Sequence, residues 1–370
     1  MTLPGGTPDE LFEQAEAWLA ARRGDTPRDW GAILPPERAD EGRAWQRTLL
    51  EAGWAGIHWP SEVGGRGLTI EHTQAWTRAC ALAQVPSQIN MVGCVLTGGS
   101  ILAYGTPEQQ AAHLPRILDG SRLWCQLFSE PGSGSDLASL TTKAELDGDE
   151  WVVNGQKVWC SAGRASDWGI LMARTDPDAK PHAGISFFLV DMHSAGIECR
   201  PLRQMTGSAE FDEVFLDDVR IPADGLLGPL HGGWGVAMSV LTNERGSIGS
   251  AGIALGRRLD QLAAGIADGD LRAVDRDRLV ALLARGRALQ WLGRRQGPVA
   301  GVTSSLAKLG VTELLFDLAV LESDLAGASS MLTGGAGMGL LSAPGGRIAG
   351  GTTQIQKNII GERILGLPKG

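Results

Sequence analysis

The sequence has little that would tie it to a metal, a membrane or a nucleic acid. Its five cysteines (Cys80, Cys94, Cys125, Cys160, Cys199) are scattered, odd in number and without a C-x-x-C pair, which argues against a disulfide framework and a zinc site. The six histidines lie far apart and none belongs to an H-E-x-x-H motif, so no metal site is expected. Acidic residues outnumber basic ones 42 to 33, a net charge of −9, which excludes broad electrostatic binding to nucleic acid or anionic lipid. A local basic groove for a phosphorylated ligand stays compatible with that charge. No apolar run approaches the roughly 18 residues of a membrane span. The opening stretch MTLPGGTPDELFEQAEAW lacks the basic start and apolar core of a secretory signal, so a cytoplasmic protein is expected. No G-x-G-x-x-G follows a strand-like run, which disfavours a Rossmann sheet, and no internal repeat is found.

What is present reads as an ordinary globular chain of 370 residues, 43% apolar and 20% charged, long enough for two or three packed units. Residues 8 to about 121 show helical spacing between Gly/Pro turns. Leu11, Phe12, Ala15, Trp18 and Leu19 share one face, and Thr106-Pro107-Glu108 reads as a helix start with a threonine cap. From about residue 122 short strand-like runs take over, around the turn Asp147-Gly148-Asp149. Asn154-Gly155 reads as a further hairpin signal. From Trp234 the pattern is helical again, with Val236, Val240, Ile248, Ala251 and Leu255 in one stripe. A Gly-rich stretch, Gly334 to Gly351, leads into a last helix over Thr353 to Leu365. Strands bunched between two helical zones imply an inserted β unit in an α+β fold rather than alternating βαβ.

Four blocks carry a family resemblance. WCQLFSEPGSGSDLASL at 124–140 places a glutamate-proline turn before a Gly-rich loop, and NGQKVWCSAGRASDW at 154–168 forms a second block. MTGSAEFDEVFLDDVRIPADGLLG at 205–228 and GGTTQIQKNIIGERILG at 350–366 follow in order. Together they resemble the acyl-CoA dehydrogenase family. The resemblance implies an N-terminal α-helical domain (1–121), a middle β-barrel-like domain (122–228) and a C-terminal four-helix bundle (229–370). It also implies FAD-dependent removal of a proton from Cα and a hydride from Cβ of an acyl-CoA thioester. That chemistry needs a flavin, a base near Cα and hydrogen-bond donors at the thioester oxygen.

By position in these motifs, Gln126, Phe128 and Ser129 are expected to line the isoalloxazine, with Trp159 and Ser161 beside or behind it. Thr352 and Gln354 match positions on the ribityl-diphosphate-adenosine arm. Gly134 and Ser135 fall where backbone and hydroxyl meet cofactor or pantetheine. Each has a competing structural reading: a tryptophan in a strand is usually core, and Gln126 and Ser129 would equally satisfy strand-end backbone groups.

Many relatives carry the base as the glutamate of an EGT triplet in the last block. Here the triplet is Gly350-Gly351-Thr352, so that carboxylate is absent. Other members place the glutamate on a helix of the C-terminal domain, and Glu244 in LTNERGSIGSAGIALG (241–256) falls on the matching position. Glu244 is four residues from both Val240 and Ile248, and no basic residue stands three or four positions away. An unpaired carboxylate on an apolar face should have a raised pKa, which suits a general base. The competing reading is a structural glutamate paired with Arg278 or Arg285. Arg245 matches a position near the acyl and pantetheine end, and the backbone N–H of Gly350 matches a thioester-oxygen donor. The R-x-x-F-G-like segment found in much of the family is missing from Asp260 to Arg278. The resemblance implies a homo- or hetero-oligomer, dimer or tetramer, passing electrons to an electron-transfer flavoprotein. A flavin-site-sharing or non-catalytic subunit of a heteromeric enzyme, or a flavin oxidase or monooxygenase on the same scaffold, are the alternative functions.

Overall fold

The computed structural model describes residues 6–28, 30, 33–89, 91–246, 248–265, 271–294 and 300–368. Within that span the side chains of 241–251, 253–254, 293–294 and 300–303 lie outside the description. The chain divides into two compact units, Met1–Gln204 with Ser208–Asn243, and Met205–Gly207 with Glu244–Gly370.

The first unit opens with α1 (Pro8–Ala21), α2 (Ala39–Glu51) and α3 (Ile70–Ala83). A π-helical turn, Val92–Thr97, runs into α4 (Gly98–Tyr104), and α5 (Pro107–Leu118) closes the helical set. The expected cap is present: the Thr106 hydroxyl accepts from the Gln109 N–H, and the Gln109 side chain accepts from the Thr106 N–H. Trp18, Trp45, Trp54 and Trp76 cluster in the helical core, Trp54 stacked on Trp76 with centroids 4.6 Å apart.

Seven strands follow: β1 (Trp124–Leu127), β2 (Lys143–Asp147), β3 (Glu150–Ser161), β4 (Trp168–Arg174), β5 (Ile185–Asp191), β6 (Ile197–Leu202) and β7 (Phe211–Pro222). Their order is β1-β4-β2-β3-β7-β6, with β5 on β4. Alternation along β4 and β5 serves two cores. Ile170, Met172, Ile185, Phe187 and Leu189 join the helices, while Leu171, Ala173, Phe188 and Val190 join Trp151, Val153, Val214 and Ile221. The second core draws residues from all seven strands, as a sheet curled upon itself does and a flat one does not. Arg43 on α2 ties helices to sheet, donating to Asp167 at 2.8 Å while Asp167 accepts from the Leu123 N–H.

Asn154-Gly155 is not a hairpin turn, and this corrects the sequence expectation. Both residues lie inside the continuous strand β3, at a register shift against β7. Glycine is required there because a Cβ would stand 2.3 Å from the Thr142 hydroxyl and 2.7 Å from its Cα. The strand meets a neighbour rather than reversing.

Helix α6 (Gly233–Gly246) buries Val236 and Val240 in the first unit's core, and the unit boundary falls within it. The second unit holds α7 (Ile248–Gly265), α8 (Ala273–Arg294), α9 (Ala300–Ala326), α10 (Gly335–Ile348) and α11 (Thr353–Arg363). Leu255, Leu259, Leu279, Leu282, Leu314 and Leu318 form its core. The single stripe read from the sequence is therefore shared between two cores, Val236 and Val240 in one and Leu255 in the other.

Candidate functional site

The strand β1 ends at Leu127, and the chain turns through Phe128, Ser129 and Glu130 into the Gly-rich loop. This turn lies against β3, where Val158 N–H donates to the Ser129 carbonyl at 2.9 Å. Between the paired positions Lys157↔Val214 and Cys160↔Asp212, β3 holds two residues, Val158 and Trp159, against one on β7. That is a β-bulge. Trp159 sits in it with φ +61, a left-handed backbone that costs a bulky residue about 1–3 kcal/mol.

The bulge turns the Trp159 indole outward. It is 57% exposed, and the ring of Phe211 stands edge-on to it at 5.8 Å. The competing reading of Trp159 as a core residue is thereby excluded. Ser129, Ser161 and Gln126 are half-buried on the same elements, although the other residues of β1 are fully buried. Phe128 is different: its side chain is buried against Phe187, and its carbonyl accepts from Lys157 at 3.1 Å. Gly132, Gly134 and Ser135 are exposed on the loop, and a Cβ on either glycine would meet nothing within 4 Å. Glu130 and Ser133 exchange both backbone bonds across this loop, and the Ser133 hydroxyl donates to the Asp136 carbonyl.

Under this surface lies a buried ion pair that sequence reasoning missed. Lys157 Nζ, fully buried, donates to Glu130 Oε1 at 2.9 Å. The same carboxylate accepts from the Thr141 N–H and hydroxyl, both at 2.7 Å, and from the Thr142 N–H at 2.8 Å. Burial by itself raises the Glu130 carboxyl; the Lys157 charge and these hydrogen bonds outweigh it and bring it from an ordinary 4.5 to about 2. Burial pushes the Lys157 ammonium down, opposed by Glu130. The available signal was a lysine among the inward positions of an alternating strand, Trp151, Val153, Lys157 and Cys160.

In the second unit the Gly350-Gly351-Thr352 triplet forms a turn with φ +64 and +95 at its two glycines. The left-handed backbone at Gly351 calls for glycine, and a Cβ there would stand 2.6 Å from the Gln356 amide nitrogen, which would have to shift. The Gly351 carbonyl accepts from the buried Lys308 at 2.6 Å, and the Gly350 carbonyl from Gln356 at 3.2 Å. Arg347 grips Glu313 with three bonds, from Nη2 to both carboxylate oxygens at 2.8 Å and from Nε at 3.1 Å, and the Thr353 hydroxyl donates to the same carboxylate at 3.0 Å. Thr352 caps α11, its hydroxyl accepting from the Ile355 N–H, and Gln354 is exposed on the first turn.

Glu244 and Arg245 lie on α6, and their side chains fall outside the described residues. The two arginines weighed as structural partners of Glu244 are engaged by other carboxylates: Arg278 by Asp324 at 2.8 Å and Arg285 by Asp317 at 2.5 Å. Among the described residues no cluster of three or more metal-ligating side chains occurs, and no helix is long and apolar enough to cross a membrane.

The first unit's residues fit a flat aromatic ligand with a polar rim. Trp159 offers an exposed ring, Ser129, Ser161 and Gln126 offer half-buried polar groups on β3 and on β1 and the turn that follows it, and the loop at 132–135 offers open main chain. Comparison with known proteins agrees with that character. Three family models match in order: the acyl-CoA dehydrogenase N-terminal domain over residues 10–121, the middle domain over 125–219 and the C-terminal domain over 231–365. The chain is 41% identical to the acyl-CoA dehydrogenase IpdE1 of Mycobacterium tuberculosis, with 98% of both chains covered. Among solved structures, it is similar to the Tcur3481-Tcur3483 steroid ACAD (26% identity, TM-score 0.85, 98% of each chain covered). It is also similar to a chain of the ChsE4-ChsE5 complex from Mycobacterium tuberculosis (26% identity, TM-score 0.80, 100% of each chain covered). The chain belongs to the acyl-CoA dehydrogenase family, whose members are flavoproteins. It is an enzyme of that kind, an oxidoreductase acting on the CH–CH bond of acyl-CoA thioesters.

Proposed function

We propose that the chain is an FAD-dependent dehydrogenase of bulky, steroid-derived acyl-CoA thioesters, with Glu244 as the base. The observation that carries the flavin reading is Trp159, an aromatic ring held outward at a backbone cost beside Ser129 and Ser161. Gln126, Ser129, Trp159 and Ser161 would hold the isoalloxazine, Phe128 would contribute main chain, and Ser135, Thr352 and Gln354 would hold the rest of the cofactor. When bound, FAD supplies the acceptor for the β-hydrogen.

The protein's own part is proton transfer and charge stabilisation. Glu244 takes the proton from Cα, and the Gly350 N–H stabilises the thioester oxygen as charge develops there. Loss of the family's glutamate side chain at 350 leaves that backbone donor in place, in a turn whose carbonyls are already bonded to Lys308 and Gln356. Arg245 and Ser135 contact the acyl-CoA. The glycine at 350 and the engagement of Arg278 and Arg285 elsewhere both support Glu244 as the base.

The steroid preference rests on the likeness to the Tcur3481-Tcur3483 enzyme, a steroid ACAD. The likeness to a chain of the two-component ChsE4-ChsE5 complex, with the missing R-x-x-F-G segment, supports assembly with a second, unlike chain over a homo-oligomer. Electrons then leave to an electron-transfer flavoprotein. Anaerobic titration with short, long, branched and steroidal CoA thioesters is expected to bleach the bound flavin, the steroidal thioesters at the lowest concentration. Bleaching by none of them would overturn the reading, and rapid reoxidation by air would mark an oxidase instead.

Trp159→Ala is expected to weaken FAD binding about tenfold or more, since stacking on an aromatic side chain is worth about 1–3 kcal/mol. Thermal stability should change little, because the substitution removes an exposed ring. Flavin fluorescence titration of the apoprotein measures the first effect.

A further inference from the structure

We propose that the buried Lys157–Glu130 pair is a positioning device that holds Trp159 in its outward, left-handed conformation and thereby sets flavin affinity without touching the flavin. The proposal rests on the reading of Trp159 and Ser129 as flavin contacts and adds residues to which that reading gives no role.

Three segments meet at this one pair. Lys157 immediately precedes the bulge at Val158–Trp159 and bonds the Phe128 carbonyl, while Val158 bonds the Ser129 carbonyl. Glu130 begins the Gly-rich loop, and its carboxylate fixes the far end of that segment at Thr141 and Thr142. The bulge is thus clamped on its N-terminal side by bonds to residues 128–130, and on its C-terminal side by the Ser161↔Phe211 register with β7. A left-handed tryptophan persists only where its surroundings over-determine it. An ordinary apolar residue at 157 would fill the space but supply no directional bond to the Phe128 carbonyl, so the bulge would relax toward a regular strand and turn the indole. A charge pair costs desolvation, and position-specific geometry is what such a pair supplies in return.

The test compares Lys157→Met/Glu130→Gln, which removes both charges together, with wild type and with Trp159→Phe in the full-length protein. FAD itself is the probe, added to apoprotein well below the unfolding temperature. The double variant is expected to raise the FAD dissociation constant tenfold or more and to change the visible circular dichroism of flavin at saturating FAD. A pair that serves stability alone moves the unfolding temperature and leaves both readings within twofold of wild type, which overturns the proposal. A flavin-free arm separates this from failure of the flavin reading. In the apoprotein, the double variant should change the near-ultraviolet circular dichroism of the wild type but not that of the Trp159→Phe background. An equal change in both backgrounds shows that the pair does not act on Trp159, and likewise overturns it. If the Trp159-dependent change appears while Trp159→Ala leaves FAD affinity intact, the coupling stands and the flavin role of Trp159 falls.

Discussion

Glu244→Gln is expected to bind FAD as wild type does and to lose turnover by about four orders of magnitude. Glutamine matches glutamate in size and hydrogen-bonding reach but cannot take a proton at neutral pH, so binding and chemistry should separate. Flavin reduction after rapid mixing with the acyl-CoA isolates the chemical step from product release and from reoxidation. Glu244→Asp keeps a carboxylate on a shorter stem and should retain a measurable fraction of the rate. Turnover near the wild-type level in Glu244→Gln would remove this residue as the base. Failure of that variant to hold flavin would assign it a structural part. With glycine at position 350, the last block has no carboxylate at the position of the family's usual base.

Lys157→Met alone is expected to destabilise the protein by about 3–5 kcal/mol, because it leaves the Glu130 carboxylate buried without its cation. The Lys157→Met/Glu130→Gln variant should cost less, since no lone charge remains, although one amide oxygen replaces only one of the two carboxylate oxygens that accept from Thr141 and from Thr142. Denaturant or thermal unfolding of the full chain measures both, read as apparent midpoints because the chain holds more than one folding unit. The loss also has a pH signature. The Glu130 carboxyl is held at about 2 in the folded protein against an ordinary 4.5. Its contribution to stability is therefore full above about 4.5 and is lost as the pH falls toward 2. The gap between wild type and Lys157→Met should be largest at neutral pH and shrink through that window, where protonated Glu130 no longer needs a cation. A gap independent of pH would show that packing, not charge, accounts for the loss.

Much of the fold was legible in the sequence because local rules and global structure agree there. The Thr106 cap, the helical stripe of α1 and the turn at 147–149 each follow from chemistry within a few residues. Two elements escaped because their partners make them. Strand β1 is four residues long and exists by parallel pairing with β4; strand β6 carries Pro201 and is tolerated at the sheet edge. Helix α10 runs through Gly335–Ile348 with Pro344 inside it, where the sequence reads only as a Gly-rich stretch. It is held against α9 by Arg347 on Glu313, and tertiary bonds override weak propensity. Asn154-Gly155 shows the reverse error: the dipeptide carries a turn signal, but its glycine answers to the approach of Thr142.

The candidate site divides along the same line. The family, the order of its blocks and the absence of a glutamate at 350 can all be read from the unfolded string of residues, because they are matters of residue identity at matching positions. Folding had to be seen before Trp159 could be placed outward on a bulge, Phe128 in the core, and Lys157 against Glu130 across 27 residues of chain. Strand pairing and burial bring distant residues within bonding distance, and no spacing within one strand encodes which partner lies across it.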